Sequence, residues 1–212
     1  MTKMKQSRAG AVILLALLFA CALVATVSAV EEKGVVRTVA SEAQLKMINE
    51  LYGKNITVLD YMEKVHPEHL VGVKDSIKKN MAKQTMNWWG KEPAPTKGTA
   101  DRALRTERAT VQVTATGGKY DWRTILYSGT CTASISNPWY IYVEAFLINR
   151  DTGQTADSIS ESSQSGTSNT ISTGDRDKLY PANGQYYVHA WGYIPNPYYA
   201  EDTDETTVFS FP

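Results

Sequence analysis

Four short stretches of this chain bring together side chains able to do chemistry. His66-Pro67-Glu68-His69 offers two imidazoles and a carboxylate, the donor types of a zinc site. The zinc-protease spacing, however, puts its two His at i and i+4 on one helix. Here the His are at i and i+3 across a Pro, and the third His of the chain is His189, far along the sequence. The stretch therefore reads as a helix junction, and no metal site is expected. Cys131 and His189 are the makings of a thiol nucleophile, but strand alternation points Cys131 into the core and His189 away from it. Asn149-Arg150-Asp151-Thr152-Gly153 echoes a calcium loop without the later carboxylates, and reads as a hairpin turn. Asp202, Asp204 and Glu205 read as an acidic, solvated loop before the last strand. Asn55-Ile56-Thr57 is an N-glycosylation sequon, which makes Asn55 a candidate glycan site. No catalytic residue and no cofactor are expected.

The strongest pointer to function is aromatic. In "NGQYYVHAWGY" (183–193), Tyr186, Val188 and Ala190 fall on one side of a strand and Tyr187, His189, Trp191 and Tyr193 on the other. Residues 140–147 divide the same way. Ile141, Val143, Ala145 and Leu147 form an apolar inner set, and Tyr140, Tyr142, Glu144 and Phe146 an outer one. If the two strands are neighbours, Tyr140, Tyr142, Phe146, Tyr187, His189 and Trp191 make one aromatic sheet face. Such an area is rarely left bare on a monomer. Either helices cover it, the normal fate of an apolar sheet face, or it binds a carbohydrate, a peptide or a protein.

The elements that would position this face follow a two-part plan. Residues 30–90 read as helical. Ser41 with Gln44 makes a capping box, Met47, Ile48, Leu51 and Tyr52 follow on one face, and Gly53 stops the helix. Thr57 caps a second helix that ends at His66-Pro67. A third helix is expected from Asp75 to Trp88, with Ile77, Met81, Thr85 and Trp88 on its apolar side. Residues 91–108, with Pro93 and Pro95, read as a stiff linker. From 109 to 212 the pattern has period two, and strands are expected at 110–115, 120–134, 139–149, 186–193 and 206–211. Residues 152–174 hold 12 Ser or Thr among 23. This segment is expected to add little core, as an exposed hairpin pinned by Ile159 and Ile171 or as a mobile loop. The fold class is thus α+β by segments, a small helical region before an all-β sandwich.

Leu179 and Asn183-Gly184-Gln185-Tyr186-Tyr187-Val188-His189-Ala190 resemble the approach to strand F of immunoglobulin-like and fibronectin-III-like domains. The resemblance covers 110–212 and concerns fold only. It implies a corner tyrosine at Tyr186 and a core position at Val188. It also implies a partner for Val188 at Cys131, and Trp139 at the start of the next strand, where such domains bury a Trp.

The ends and the composition bear on location. Lys3, Lys5 and Arg8 precede an uncharged run over 9–30, and Val27-Ser28-Ala29 fits a cleavage site. Residues 1–29 are expected to be a signal peptide. At 22 residues the run is also long enough for an uncleaved signal anchor, the single expected route to a membrane. The remaining chain carries 19 basic against 22 acidic residues without a basic cluster, which argues against nucleic acid and anionic lipid as partners. With Cys21 in the signal, Cys131 is the sole remaining cysteine, so stability rests on burial. The expected protein is secreted or held at the cell surface, as a non-catalytic binding or envelope-associated module. An extracellular hydrolase or metal-dependent enzyme is the first alternative. A self-associating structural surface protein is the second.

Overall fold

The computed structural model describes residues 34–86, 109–164, 166, 168–195 and 199–212. The expected signal peptide, the linker at 91–108 and Trp88 lie outside the described residues. From Lys33 to Pro212 the chain forms one compact unit. The helical region belongs to that unit as a further layer, packed on the outer face of the larger sheet through a buried cluster of its own.

Strand β1 (Val35–Val39) is followed by helices α1 (Glu42–Leu51) and α2 (Val58–Val65), a 3-10 turn (Pro67–Leu70) and α3 (Asp75–Met81). Both expected caps are present. The Ser41 hydroxyl accepts from the Gln44 N–H, and the Thr57 hydroxyl accepts from the Asp60 N–H. Gly53 ends the first helical segment with φ +73°. The third helix stops seven residues short of expectation. After Met81 the chain turns back beside 56–58: the Val58 N–H donates to Gln84 O, and Met86 N–H to Ile56 O. Thr85, expected on a helix face, bridges Thr57 instead.

Nine strands follow among the described residues. They are β2 (Val111–Lys119), β3 (Thr124–Ala133), β4 (Ile141–Asn149), β5 (Gln154–Ser163), β6 (Thr170–Ser172), β7 (Arg176–Leu179), β8 (Gly184–Ile194), β9 (Ala200–Glu205) and β10 (Phe209–Phe211). The larger sheet runs β1-β5-β4-β8, with β9 and β10 both pairing with β8. In the smaller sheet, β2 lies on one side of β3, and β6 and β7 share its other side. All pairings are antiparallel. The sheets face each other across an apolar layer that includes Val113, Cys131, Ile141, Val143 and Ala190, continued by Ile125, Leu147, Tyr186 and Val188.

Several expectations need correction. Residues 152–174 are no exposed hairpin. Their first half is β5, an interior strand whose Ser158, Ser160 and Ser162 are fully buried. β1, in a region read as helical, pairs with β5 and extends the sheet. Its VVRTV sequence is four-fifths β-branched, the composition of a strand. The acidic "loop" is β9. The Asp202 and Asp204 carboxylates accept the Val113 and Ala115 N–H groups, each at 2.9 Å, and so occupy donors at the open edge of β2. Asn149–Gly153 is the turn expected, with Asn149 Oδ1 accepting from the Asp151 and Thr152 N–H groups.

Of the positions implied by the resemblance, Tyr186 donates its hydroxyl to Ala182 O at 2.7 Å, and Val188 is buried. Cys131 does not oppose Val188. It lies against Gly192 and Val113, whereas Val188 lies against Gly117 and Tyr127. Trp139 is 41% exposed, with Lys74 Nζ 3.8 Å from its ring centre.

Candidate functional site

The aromatic face is covered. Tyr140, Tyr142, Phe146, Trp191 and Tyr193 share one buried cluster with Ile48, Val58, Tyr61, Met62 and Val65 of α1 and α2 and with Ile77 and Met81 of α3. Four of the six expected ligand-face residues therefore sit beneath the helical layer, and a ligand would have to displace that layer to reach them. Tyr187 and His189 stay partly exposed at its margin, where His189 Nδ1 meets Glu205 Oε1 at 2.8 Å. The physical reason is area: several large rings on one sheet face are stabilised by whatever apolar layer can close over them, and α1–α3 supply it.

Within this layer lies a polar cluster that none of its parts announces alone. α2 supplies Tyr61. It ends at His66, because the residue before Pro67 avoids the helical region (φ −132°, ψ 58°). Pro67 opens the 3-10 turn, which His66 caps by accepting the His69 N–H at 3.1 Å. His66 and His69 thus stand edge to face, ring centres 5.4 Å apart. From the sheet, β4 supplies Tyr142 and Glu144, and β5 supplies Ser158, Ser160 and Ser162.

Glu144 is the centre, with no exposed surface. Its Oε2 accepts the Tyr142 hydroxyl at 2.6 Å and the Tyr61 hydroxyl at 2.9 Å. Its Oε1 accepts the Ser158 hydroxyl at 2.6 Å and His66 Nε2 at 3.1 Å. The other nitrogen of His66, Nδ1, meets Glu68 Oε1 at 3.1 Å. His69 is held between Ser162 Oγ (2.8 Å, to Nδ1) and Ser160 Oγ (3.1 Å, to Nε2).

The charges follow from these contacts. Burial alone would drive His66 neutral, but the Glu144 and Glu68 carboxylates outweigh it and hold the imidazole up at about 9. Burial would likewise raise Glu144 and Glu68. The His66 imidazolium outweighs it, so that Glu144 lies below the usual carboxylate range and Glu68 at about 2. His69 is pushed down to about 4 by burial and by the neighbouring His66 charge. The cluster is thus a buried carboxylate–imidazolium pair with a neutral imidazole beside it. A buried pair of this kind is tolerable because its remaining hydrogen-bonding positions are filled. Ser158 touches Glu144 but is sealed from solvent, which does not suit a hydrolytic nucleophile.

A second cluster is exposed. The loop between β2 and β3 and the end of β7 with the residue after it carry Tyr120, Trp122, Leu179 and Tyr180. Tyr120 and Trp122 are 73% and 71% exposed. Trp122 and Tyr180 meet edge to face with ring centres 6.3 Å apart, and the Tyr180 N–H donates to Arg123 O. Tyr120 also lines a groove of about 180 Å³, with Gly118, Leu126 and Ser128 among its walls and Lys119 and Asp175 contributing charge.

Asn55 is exposed beside the start of α2, and its sequon partner Thr57 is engaged as the helix cap, donating to Asp60 Oδ2 at 2.7 Å. Sequence reasoning missed the polar cluster, although two signals for it exist. A carboxylate interrupts the aromatic outer set at Glu144, and Ser158, Ser160 and Ser162 recur at the strand period. No family model, curated protein or solved structure matches this chain.

Proposed function

We propose that this chain is an exported, non-catalytic binding module of the cell surface or envelope, and that it meets its partner through the exposed end bearing Tyr120, Trp122 and Tyr180. The observation that carries this reading is the grouping of three solvent-facing aromatic rings beside an open groove. Exposed apolar patches of this kind mark contact surfaces, and rigid aromatic rings give large contact area at little entropic cost. The buried groups at the centre of the polar cluster, Glu144 and Ser158, are bonded to one another and are not part of this surface.

The domain type we propose is immunoglobulin-like or fibronectin-III-like. The order β5-β4-β8-β9/β10 parallels C′-C-F-G, and β2-β3-β6 parallels A-B-E. The Tyr186 hydroxyl reaching back to Ala182 O parallels the corner tyrosine of strand F. Export rests on the expected signal peptide. The N-terminus of protein recovered outside the cytoplasm should be Val30.

The test of the binding surface is a Trp122→Ala, Tyr180→Ala double variant assayed for retention on isolated envelope material and on a glycan array. Binding by wild type that the variant loses, at unchanged melting temperature and oligomeric mass, is the expected result. Equal retention of both proteins overturns the assignment. Loss of an oligomer rather than of retention moves it to self-association.

A further inference from the structure

We infer that His66, Glu68 and His69 form a binding site for a zinc ion at the lip of the helical layer. This goes beyond the binding reading above and is independent of it. One ligand atom from each of the three residues lies within 4.8 Å of the others. His66 Nδ1 and Glu68 Oε1 are 3.1 Å apart. Zinc–nitrogen and zinc–oxygen bonds of about 2.0–2.1 Å arranged tetrahedrally separate neighbouring ligand atoms by roughly 3.3 Å. These two atoms already stand at about the spacing an ion between them requires.

Backbone geometry supports the third ligand. The i, i+3 spacing is unsuited to the zinc-protease arrangement on an α-helix. His66, which caps the 3-10 turn begun by Pro67, changes that: its carbonyl accepts the His69 N–H at 3.1 Å, and the two rings come to 5.4 Å.

The surroundings of His66 are those of a metal ligand. A ligating imidazole usually donates its other N–H to a carboxylate that fixes its tautomer and ring orientation. Here His66 Nε2 is bonded to Glu144, and Glu144 is itself fixed by Tyr61, Tyr142 and Ser158. His69 is bonded at both nitrogens to serines. It would give up one hydroxyl to the ion and keep the other as its orienting partner. The ion takes the place of the His66 Nδ1 proton, which passes to solvent. Glu68 is the partly exposed member, with 35% of its side chain open, and is the way in. Two imidazoles and one carboxylate leave a fourth position for water.

The experiment uses the purified full-length chain, first stripped with a chelator and then dialysed against zinc. One zinc per chain is expected, with a rise in melting temperature. Cobalt should give the visible absorption of a four-coordinate nitrogen–oxygen site. Glu68→Gln should weaken zinc tenfold or more, since loss of even an outer partner costs about 10–100-fold. Folding of that variant is checked by circular dichroism, and the cobalt spectrum of the wild type decides the matter if it fails. His189→Ala, which removes the exposed imidazole–carboxylate pair, should leave binding unchanged. No retained zinc in the wild type, equal affinity in Glu68→Gln, or loss of binding in His189→Ala overturns the site.

Discussion

On one side of β4, Ile141, Val143, Ala145 and Leu147 meet the smaller sheet in apolar clusters that include Cys131 and Tyr127 of β3. On the other side, Tyr142, Glu144 and Phe146 meet the helices through rings, hydroxyls and a charge. Both sides are equally buried, yet different quantities control them. The sheet–sheet side is governed by volume. A Cβ at Gly192 would stand 2.8 Å from Cys131 Sγ and 2.9 Å from Val113 Cγ2, so the sheets approach as closely as a glycine permits. The helix–sheet side is governed by matching donors to acceptors, because an unmatched group there has no water to turn to. A dry interface accepts any apolar partner of suitable size. The polar one accepts a layer carrying Tyr61 and His66 in the right places, and so specifies how α1–α3 dock.

That contrast can be broken most forcefully at Glu144. Glu144→Leu leaves the His66 charge without its buried partner, with the part-exposed Glu68 alone beside it, and should destabilise the protein by about 3–5 kcal/mol in urea unfolding. The double change Glu144→Leu, His66→Leu should cost clearly less than the two single changes added together. Additive costs would mean that the pair does not act as a unit.

The next effect is in pH. His66 has a folded value of about 9 against an ordinary 6.5, so its contribution is complete below about pH 6.5 and is lost as pH rises through 9. The loss is on the order of 3 kcal/mol. His69, held near 4, acts in the opposite direction: its neutral burial costs stability as pH falls from about 6.5 towards 4. Glu68 adds a loss between about pH 4.5 and 2. Unfolding midpoints measured with chelator present should peak near pH 6.5. A His66→Leu protein should lose the alkaline decline.

On the dry side the corresponding probe is Gly192→Ala, whose added methyl should cost about 1–3 kcal/mol by overpacking and show no pH dependence of its own. The smallest effect belongs to the exposed end. Trp122→Ala should change stability by no more than about 0.5 kcal/mol, and a larger loss would show the ring to be structural.

The two sides also differed in how legibly the sequence carried them. The alternation of β4 and β8, and with it the division into inner and outer sets, can be read directly, because strand geometry maps sequence parity onto faces. The helix starts at Ser41 and Thr57 were legible for a similar reason, since capping is decided within four residues. β5 was not. Its serines read as solvated because nothing local shows that His69 and Glu144 await them. β9 was misread because the value of Asp202 and Asp204 lies in β2, about ninety residues earlier. His66, Glu68 and Glu144 were each visible, but their meeting depends on how the helices seat on the sheet. Local rules do not reach that far.

The place of β1 and the helices in the chain has a temporal consequence. Arg37 on β1 pairs with Glu161 on β5, 124 residues later, at 2.6 Å. The helical layer is therefore synthesised after β1 but before every other strand of the sheet it closes over. Its apolar sides must wait through the making of β2 to β8, and β1 must wait for β5. Pairings this distant in sequence slow folding, because the ends of a long loop must be brought together before the contact stabilises anything. The lid of this molecule is made early and fitted late, and a nascent chain halted before Ile141 holds a cover with nothing to shut.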